Sequence, residues 1–223
     1  MIISKYGIRL TRLTETDLEL VRKWRNDEEI KKFMNFREYI TLEMQQKWYE
    51  SINNQDNFYY VIEYLGDQIG IVNDKNIDWK EKSAEGGLFI WDKRYINSVI
   101  PLKISMLMLE LAYTLLGWNN TIVKVRKDNP RALKYNETLG YVICEEESEE
   151  DNYLLKLERS RFYEIFPKIN RLISPNSEND KIELIFEPID SKNGTLQAVQ
   201  KIIDSAPNES DRTRININYS GLL

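Results

Sequence analysis

Hydrophobic positions along this chain recur with two periods, and the switches between them lay out its elements. Residues 8–12 alternate through Ile8 and Leu10 as a short strand, and Thr14-Glu-Thr-Asp17 then caps a helix carrying Leu18, Val21 and Trp24 on one face. Asn26-Asp27 breaks that helix and caps the next. A further helix is expected over 41–52, opened by Thr41 without the usual acid three residues later and packed down by Trp48. Residues 58–64 and 68–73 flank Leu65-Gly66-Asp67 as an antiparallel hairpin, and 85–91 reads as the next strand.

The longest apolar run, 99–116, is interrupted by Lys103 and Glu110; it suits a buried helix and is short for a bilayer span. A strand over 121–126 follows, then a helix with Asn129 as N-cap, Pro130 at its first position and Gly140 as its stop. Residues 141–146 and 153–157 read as a hairpin, with the acidic run 145–151 at its turn, where like charges are solvated. The order gives an α+β fold over 1–160, a linker over 161–180 ending in the polar Pro175-Asn-Ser-Glu-Asn-Asp180, and a strand-helix-strand unit over 181–223. In that unit the strands fall at 181–186 and 212–219 and the helix at 195–204. It is too small to bury much core alone, so it is expected to dock on the first domain or on a second subunit, which leaves a homodimer open.

Composition narrows the chemistry. The 223 residues carry 31 Lys and Arg against 36 Asp and Glu, a net charge of −5 with signs interspersed, which gives no basic stripe for nucleic acid. There is no histidine, so Ser-His and Cys-His nucleophiles are excluded and a proton must move through Asp, Glu, Tyr, Lys, a chain terminus or water. Cys144 is the single cysteine, expected in the core, and no metal is expected. The first residues lack a basic-then-apolar leader, and with no membrane span the expected location is cytoplasmic.

The segment Asn129-Pro-Arg-Ala132-Leu-Lys-Tyr-Asn136-Glu-Thr-Leu139-Gly140-Tyr141 resembles the N-x-x-A-x-x-x-(Y/N)-E-x-L-G-(F/Y) run of the GNAT N-acetyltransferase superfamily. Within it, Leu20-Val-Arg-Lys-Trp24-Arg25-Asn26-Asp27, Ile69-Gly70-Ile-Val-Asn73 with Ile77-Asp78-Trp79, and Ala84-Glu85-Gly-Gly87 are similar to the amino-sugar branch. That branch acetylates UDP- or dTDP-linked 4-amino-4,6-dideoxy sugars, as in pseudaminic acid biosynthesis, and is allied to the ribosomal-protein N-terminal acetyltransferases.

The resemblance implies acetyl-CoA as co-substrate and a small-molecule acceptor. A bulge would splay the sheet where the backbone of Phe89, Ile90 and Trp91 holds the pantetheine arm. The pyrophosphate would meet Ile96, Asn97, Ser98, Val99 and Ile100, ahead of Pro101 at the helix start. The family's loop glycines are missing there, so either the loop binds CoA with altered geometry, with Lys93 and Arg94 adding charge, or the fold has become a binding module. Asn129 would contact the pantetheine, and Asn136 stands where relatives place a tyrosine acid, able to donate to the CoA sulfur. Glu85 is the candidate base. For the acceptor, Arg25 suits a nucleotide phosphate, Asn26 and Asn73 sugar hydroxyls, and Tyr39 the face of a base. A protein or peptide N-terminus is the rival acceptor.

All enzymatic readings pass through acetyl-CoA binding, so ligand at about a hundred times its Kd should add about 2.7 kcal/mol and raise the unfolding midpoint by roughly 5 to 10 °C. A midpoint unmoved at millimolar acetyl-CoA would favour the binding module.

Overall fold

The structure, a computed structural model, describes residues 1–32, 34, 36–175, 181–205 and 215–219. Its strands are β1 (Ile2–Lys5), β2 (Ile8–Arg12), β3 (Phe58–Tyr64), β4 (Asp67–Asp78), β5 (Ser83–Ile90), β6 (Asn120–Arg126), β7 (Val142–Ile143), β8 (Asn152–Glu158), β9 (Ile182–Phe186) and β10 (Ile215–Tyr219). They form one mixed sheet in the order β10-β9-β1-β2-β3-β4-β5-β6-β8-β7. The helices are α1 (Leu18–Arg25), α2 (Glu28–Lys31), α3 (Leu42–Ile52), α4 (Ile100–Glu110), α5 (Pro130–Thr138), α6 (Arg159–Ile173), α7 (Pro188–Lys192) and α8 (Thr195–Ser205).

Alternation along the strands sorts two cores onto the two faces of the sheet. Leu10, Tyr60, Ile62, Val72, Ala84 and Ile90 face α4, which is apolar nearly all round and buried accordingly. Tyr59, Val61, Ile71 and Trp91 face the other way, against Val21 of α1 and Tyr49 of α3. Glu110 ends α4 inside the protein, where Lys5 Nζ reaches both its carboxylate oxygens at 2.8 Å and the Tyr6 hydroxyl donates at 3.1 Å. Such a pair is tolerated in a core only when its oxygens are this fully hydrogen-bonded. The helix then passes into one π turn, Leu116 N–H reaching Leu111 O at 3.0 Å.

Three expectations change. A strand, β1, precedes the first expected one and closes on β2 through Tyr6-Gly7, both at positive φ (58° and 77°), the conformation a two-residue hairpin turn needs. The stretch read as linker from 161 is helical through Ile173, because Phe162, Phe166, Ile169 and Ile173 make one buried stripe despite Pro167 within the helix. Phe162 stacks on Tyr113 at 4.6 Å, and residues 176–180 lie outside those described. Cys144 is half-buried past the end of β7, outside the core. The last unit extends the same sheet, β9 pairing antiparallel with β1 and β10 parallel with β9; residues 212–214 of its expected last strand are outside those described. Among the described residues no helix is long and apolar enough to cross a membrane.

Asp74 is the least expected core group. It is 5% exposed on the α4 face of β4, and its Oδ2 has no hydrogen-bond partner. Burial pushes its carboxyl up to about 7 from 3.8. The unfolded chain releases that proton near 4, so between those values the folded state binds more protons and stability falls as pH rises, levelling off above about 7, by on the order of 4 kcal/mol in all. Urea unfolding of wild type and Asp74→Asn at pH 5 and pH 8 should show the variant gaining on wild type at the higher pH; a difference constant across that range would mean that Asp74 is ionised in the fold.

Candidate active site

The parallel pairing of β5 with β6 covers three residues, Ser83, Ala84 and Glu85 against Asn120, Thr121 and Ile122. β6 continues to Arg126 along β8, and β5 continues to Ile90 along β4, so the two strands part after Glu85 and leave an edge of β5 from Gly86 to Ile90 open to the crevice. The β4–β5 ladder keeps register from Glu85 to Ile90, with its irregularity between Lys75 and Asp78, and just past β5 the amides of Trp91 and Asp92 both reach Ile69 O, at 3.0 and 3.3 Å, the pattern of a bulge at the strand's end. Ile90 is buried toward α4, Phe89 lines the opposite face, and Trp91 is fixed by its indole N–H on Gln68 O at 2.8 Å.

On the α1 and α3 face the strand register sets residues in rows. Tyr59, Asn73 and Gly87 are cross-strand neighbours, and Lys75 and Glu85 are the next. Gly87 leaves room for the Asn73 carboxamide, whose Oδ1 lies 2.7 Å from where a Cβ on Gly87 would be; its Nδ2 donates to Glu85 O at 3.4 Å. Glu85 is salt-bridged to Lys75 at 2.9 Å and accepts from Asn76 Nδ2 at 3.3 Å.

Over these rows stands an aromatic wall that the sequence reading left incomplete. Trp24 stacks on Trp91 with centroids 6.0 Å apart and planes 4° apart, and Trp48 meets Tyr59 edge-on at 5.2 Å. The Arg25 guanidinium lies over the Trp48 ring at 5.2 Å. Among the described residues no carboxylate or hydrogen-bond acceptor pairs with it, and burial pulls its pKa below the usual arginine value. Burial also pushes the Tyr59 hydroxyl up to about 12, with Arg25 lowering it and Glu85 raising it further, so these three groups share one electrostatic environment.

Asn26 and Tyr39 have structural partners. Asn26 binds both the amide and the carbonyl of Ile40, at 2.8 and 2.9 Å, which pins the α2–α3 loop to the end of α1. Both polar atoms of its side chain thereby hold that loop in position. Tyr39 is 63% exposed on that loop and its hydroxyl accepts from Arg22 at 3.1 Å. The same loop reaches across the crevice mouth, Arg37 lying 3.7 Å from Asp128 in the turn before α5.

On the far side, Asn129 caps α5 through Ala132 N–H at 3.0 Å, and Asn136 donates to Ala132 O at 2.9 Å. Tyr135 is no substitute acid: its buried hydroxyl donates to Pro101 O at 2.8 Å and contacts Ser105, tying α5 to α4, and burial raises its pKa. In the loop before α4, Ser98 Oγ takes the Ile100 N–H at 3.1 Å and Pro101 has none, so the helix start offers fewer amides than its length suggests. The Ile100 side chain turns into the core, while Ile96 and Val99 are exposed. Arg94 is held by Asp92 and Asp67, so its charge is already matched. Arg131, which sequence reasoning passed over because it fills a variable position of the motif, reaches Ile96 O and Asn97 Oδ1, each at 2.6 Å.

The sequence profile of the acetyltransferase (GNAT) domain matches residues 8–142. Acetyltransferase PseH of Campylobacter jejuni subsp. jejuni (strain 81-176) is 28% identical over 147 residues, covering 66% of this chain and 90% of the relative. Among solved structures, a spermidine N-acetyltransferase from Vibrio cholerae in complex with CoA and spermine superposes with a TM-score of 0.64 at 19% identity, over 70% of this chain and 98% of that one. A domain from Methanocaldococcus jannaschii does so with a TM-score of 0.59 at 21% identity, over 68% and 97%. With the profile spanning more than half of the chain and the parted strands in place, the chain belongs to the GNAT acetyltransferase family and is an acetyl-CoA-dependent N-acetyltransferase.

Proposed function

We propose that the acceptor is a nucleotide-linked amino sugar of the UDP- or dTDP-4-amino-4,6-dideoxy class, acetylated on its amine. The observation that carries this reading is Arg25: a half-buried guanidinium, flat on Trp48 and without an anionic partner among the described residues, in the wall over the strand rows. A desolvated, unmatched cation favours an acceptor that brings its own anion, and a guanidinium fork suits a phosphate. The Vibrio neighbour is named for spermidine, but a polyamine would bring several positive charges to a face whose strand-borne carboxylate, Glu85, is already matched by Lys75. The likeness to the Campylobacter acetyltransferase and to the amino-sugar branch supports the same reading.

The residues present fit acetyl-CoA. The open edge from Gly86 to Ile90 presents backbone groups that can pair with the amides of the pantetheine arm as another strand would, and Asn129 and Asn136 of α5 are the side chains proposed to contact the arm and its sulfur. Acetyl-CoA supplies the acetyl group as a thioester. The acceptor amine attacks it directly, Asn73 and Tyr59 offering polar atoms beside its path, and Glu85 takes the ammonium proton directly or through a water as the C–N bond forms. The carbonyl bond to sulfur then breaks, and the leaving thiolate accepts a hydrogen bond from Asn136 and a proton from solvent.

Two variants separate these roles. Arg25→Ala should raise KM for the nucleotide sugar by about 10- to 100-fold, the range for a lost charge-assisted hydrogen bond, and leave KM for acetyl-CoA within about twofold. Unchanged KM, or spermidine turned over with the higher kcat/KM, would remove the nucleotide-sugar reading. Glu85→Gln should lower kcat by about 100-fold and remove the acid limb of the pH–rate profile; a retained limb would give the proton to another group.

A further inference from the structure

We propose that Arg131 is the residue through which this chain holds the pyrophosphate of acetyl-CoA, in place of the loop glycines it lacks; this rests on the crevice being the acetyl-CoA site. The guanidinium projects from the first turn of α5 to the loop that precedes α4, where one nitrogen, Nη2, donates to both Ile96 O and Asn97 Oδ1. Those two bonds use both hydrogens of Nη2. The N–H groups on Nη1 and Nε have no partner among the described residues, and no carboxylate is paired with Arg131. Neighbouring arginines differ in this respect: Arg94 is matched by Asp92 and Asp67, and Arg126 by Asp128 at 2.6 Å. Arg131 is therefore the arginine at this loop whose charge is uncompensated, and it stands where the start of α4 is short of amides.

The two acceptors also orient it. An arginine anchored by one nitrogen loses less freedom when the rest of its planar fork meets a phosphate, so ordering cost is lower than for an exposed lysine without such anchors, such as Lys93. A glycine loop binds phosphate by letting backbone amides approach closely; here the loop backbone and Asn97 serve as the platform, and the side chain from α5 supplies the donors.

Calorimetric titration of the full chain with CoA, 3′-dephospho-CoA and pantetheine tests this. Arg131→Ala should weaken CoA and 3′-dephospho-CoA alike, by about 10- to 100-fold, and leave pantetheine within about twofold. Arg131→Lys should fall between, because it keeps charge without the fork, and Asn97→Ala should cause a smaller loss by freeing one anchor while keeping the guanidinium. Equal weakening of all three ligands would reduce Arg131 to a brace for the loop, and a loss confined to CoA would transfer it to the 3′-phosphate; either result overturns the proposal. A wild-type chain that bound no CoA would overturn it too, and the acetyl-CoA reading with it, an outcome distinct from a variant-specific failure.

Discussion

Pairing between β5 and β6 stops after Glu85 and Ile122, and the site exists because of that stop. Backbone groups inside a sheet are costly to leave unpaired, so two central strands that diverge need a reason to stay apart. Here each strand is fully committed elsewhere. β5 keeps register with β4 from Glu85 to Ile90, and β6 pairs with β8 along all of Asn120–Arg126. Ala84 and Ile90 pack toward α4 as well, so closing the gap would require one strand to abandon an intact ladder and part of the core. The open edge is held in place by the order on either side of it, and an amide-bearing ligand is the natural partner for what it exposes.

The two faces of β4 and β5 divide the remaining work. Toward α4 the side chains are apolar except Asp74, whose carboxyl is pushed up to about 7 by burial, its Oδ2 having no hydrogen-bond partner among the described residues. Toward α1 and α3 the rows turn from apolar, with Val61, Ile71 and Phe89, to polar, with Tyr59, Asn73 and Gly87, and then to charged, with Lys75 and Glu85. Chemistry is thus graded along the strands. Glycine at position 87 is part of that grading: a side chain there would displace the Asn73 carboxamide from the surface of the sheet.

Much of this was legible because it is local. The Asn129 cap and the Gly140 stop, at φ +94°, are short-range devices, and α5 formed between them. The hairpin around Gly66 and the helix at 195–205 follow equally from turn chemistry and period. What escaped the sequence was either disguised or non-local. Pro167 disguised α6, although its Phe162, Phe166, Ile169 and Ile173 spacing was there to be read. Tyr6-Gly7 lacks the Asn or Asp that advertises a turn with two positive φ values. Arg25 meets Trp48 from another helix, and Arg131 meets Ile96 across two elements, so no spacing rule brings either pair together. Asn26 was read as a contact to a sugar hydroxyl; its partner in the fold, the Ile40 backbone, belongs to a loop whose path no local pattern determines.

The absence of loop glycines admits two explanations, altered binding or loss of the cofactor, and the loop itself weighs between them. A fold that had given up CoA has no use for an open strand edge, and the cheapest remedy is for the adjacent loop to fold back and pair with it. This loop goes elsewhere. Tyr95 packs edge-on against Tyr64 at 5.3 Å and Arg94 reaches Asp67 at 2.7 Å, both at the β3–β4 turn, while the other end of the loop is gripped by Arg131. Among the described residues no backbone hydrogen bond joins the loop to residues 86–90. Val99 and Ile96 keep apolar side chains exposed at the helix start instead of burying them in the crevice. The loop is tied at both ends and leaves the edge free, which is the arrangement expected where a ligand, and not the chain, completes the sheet.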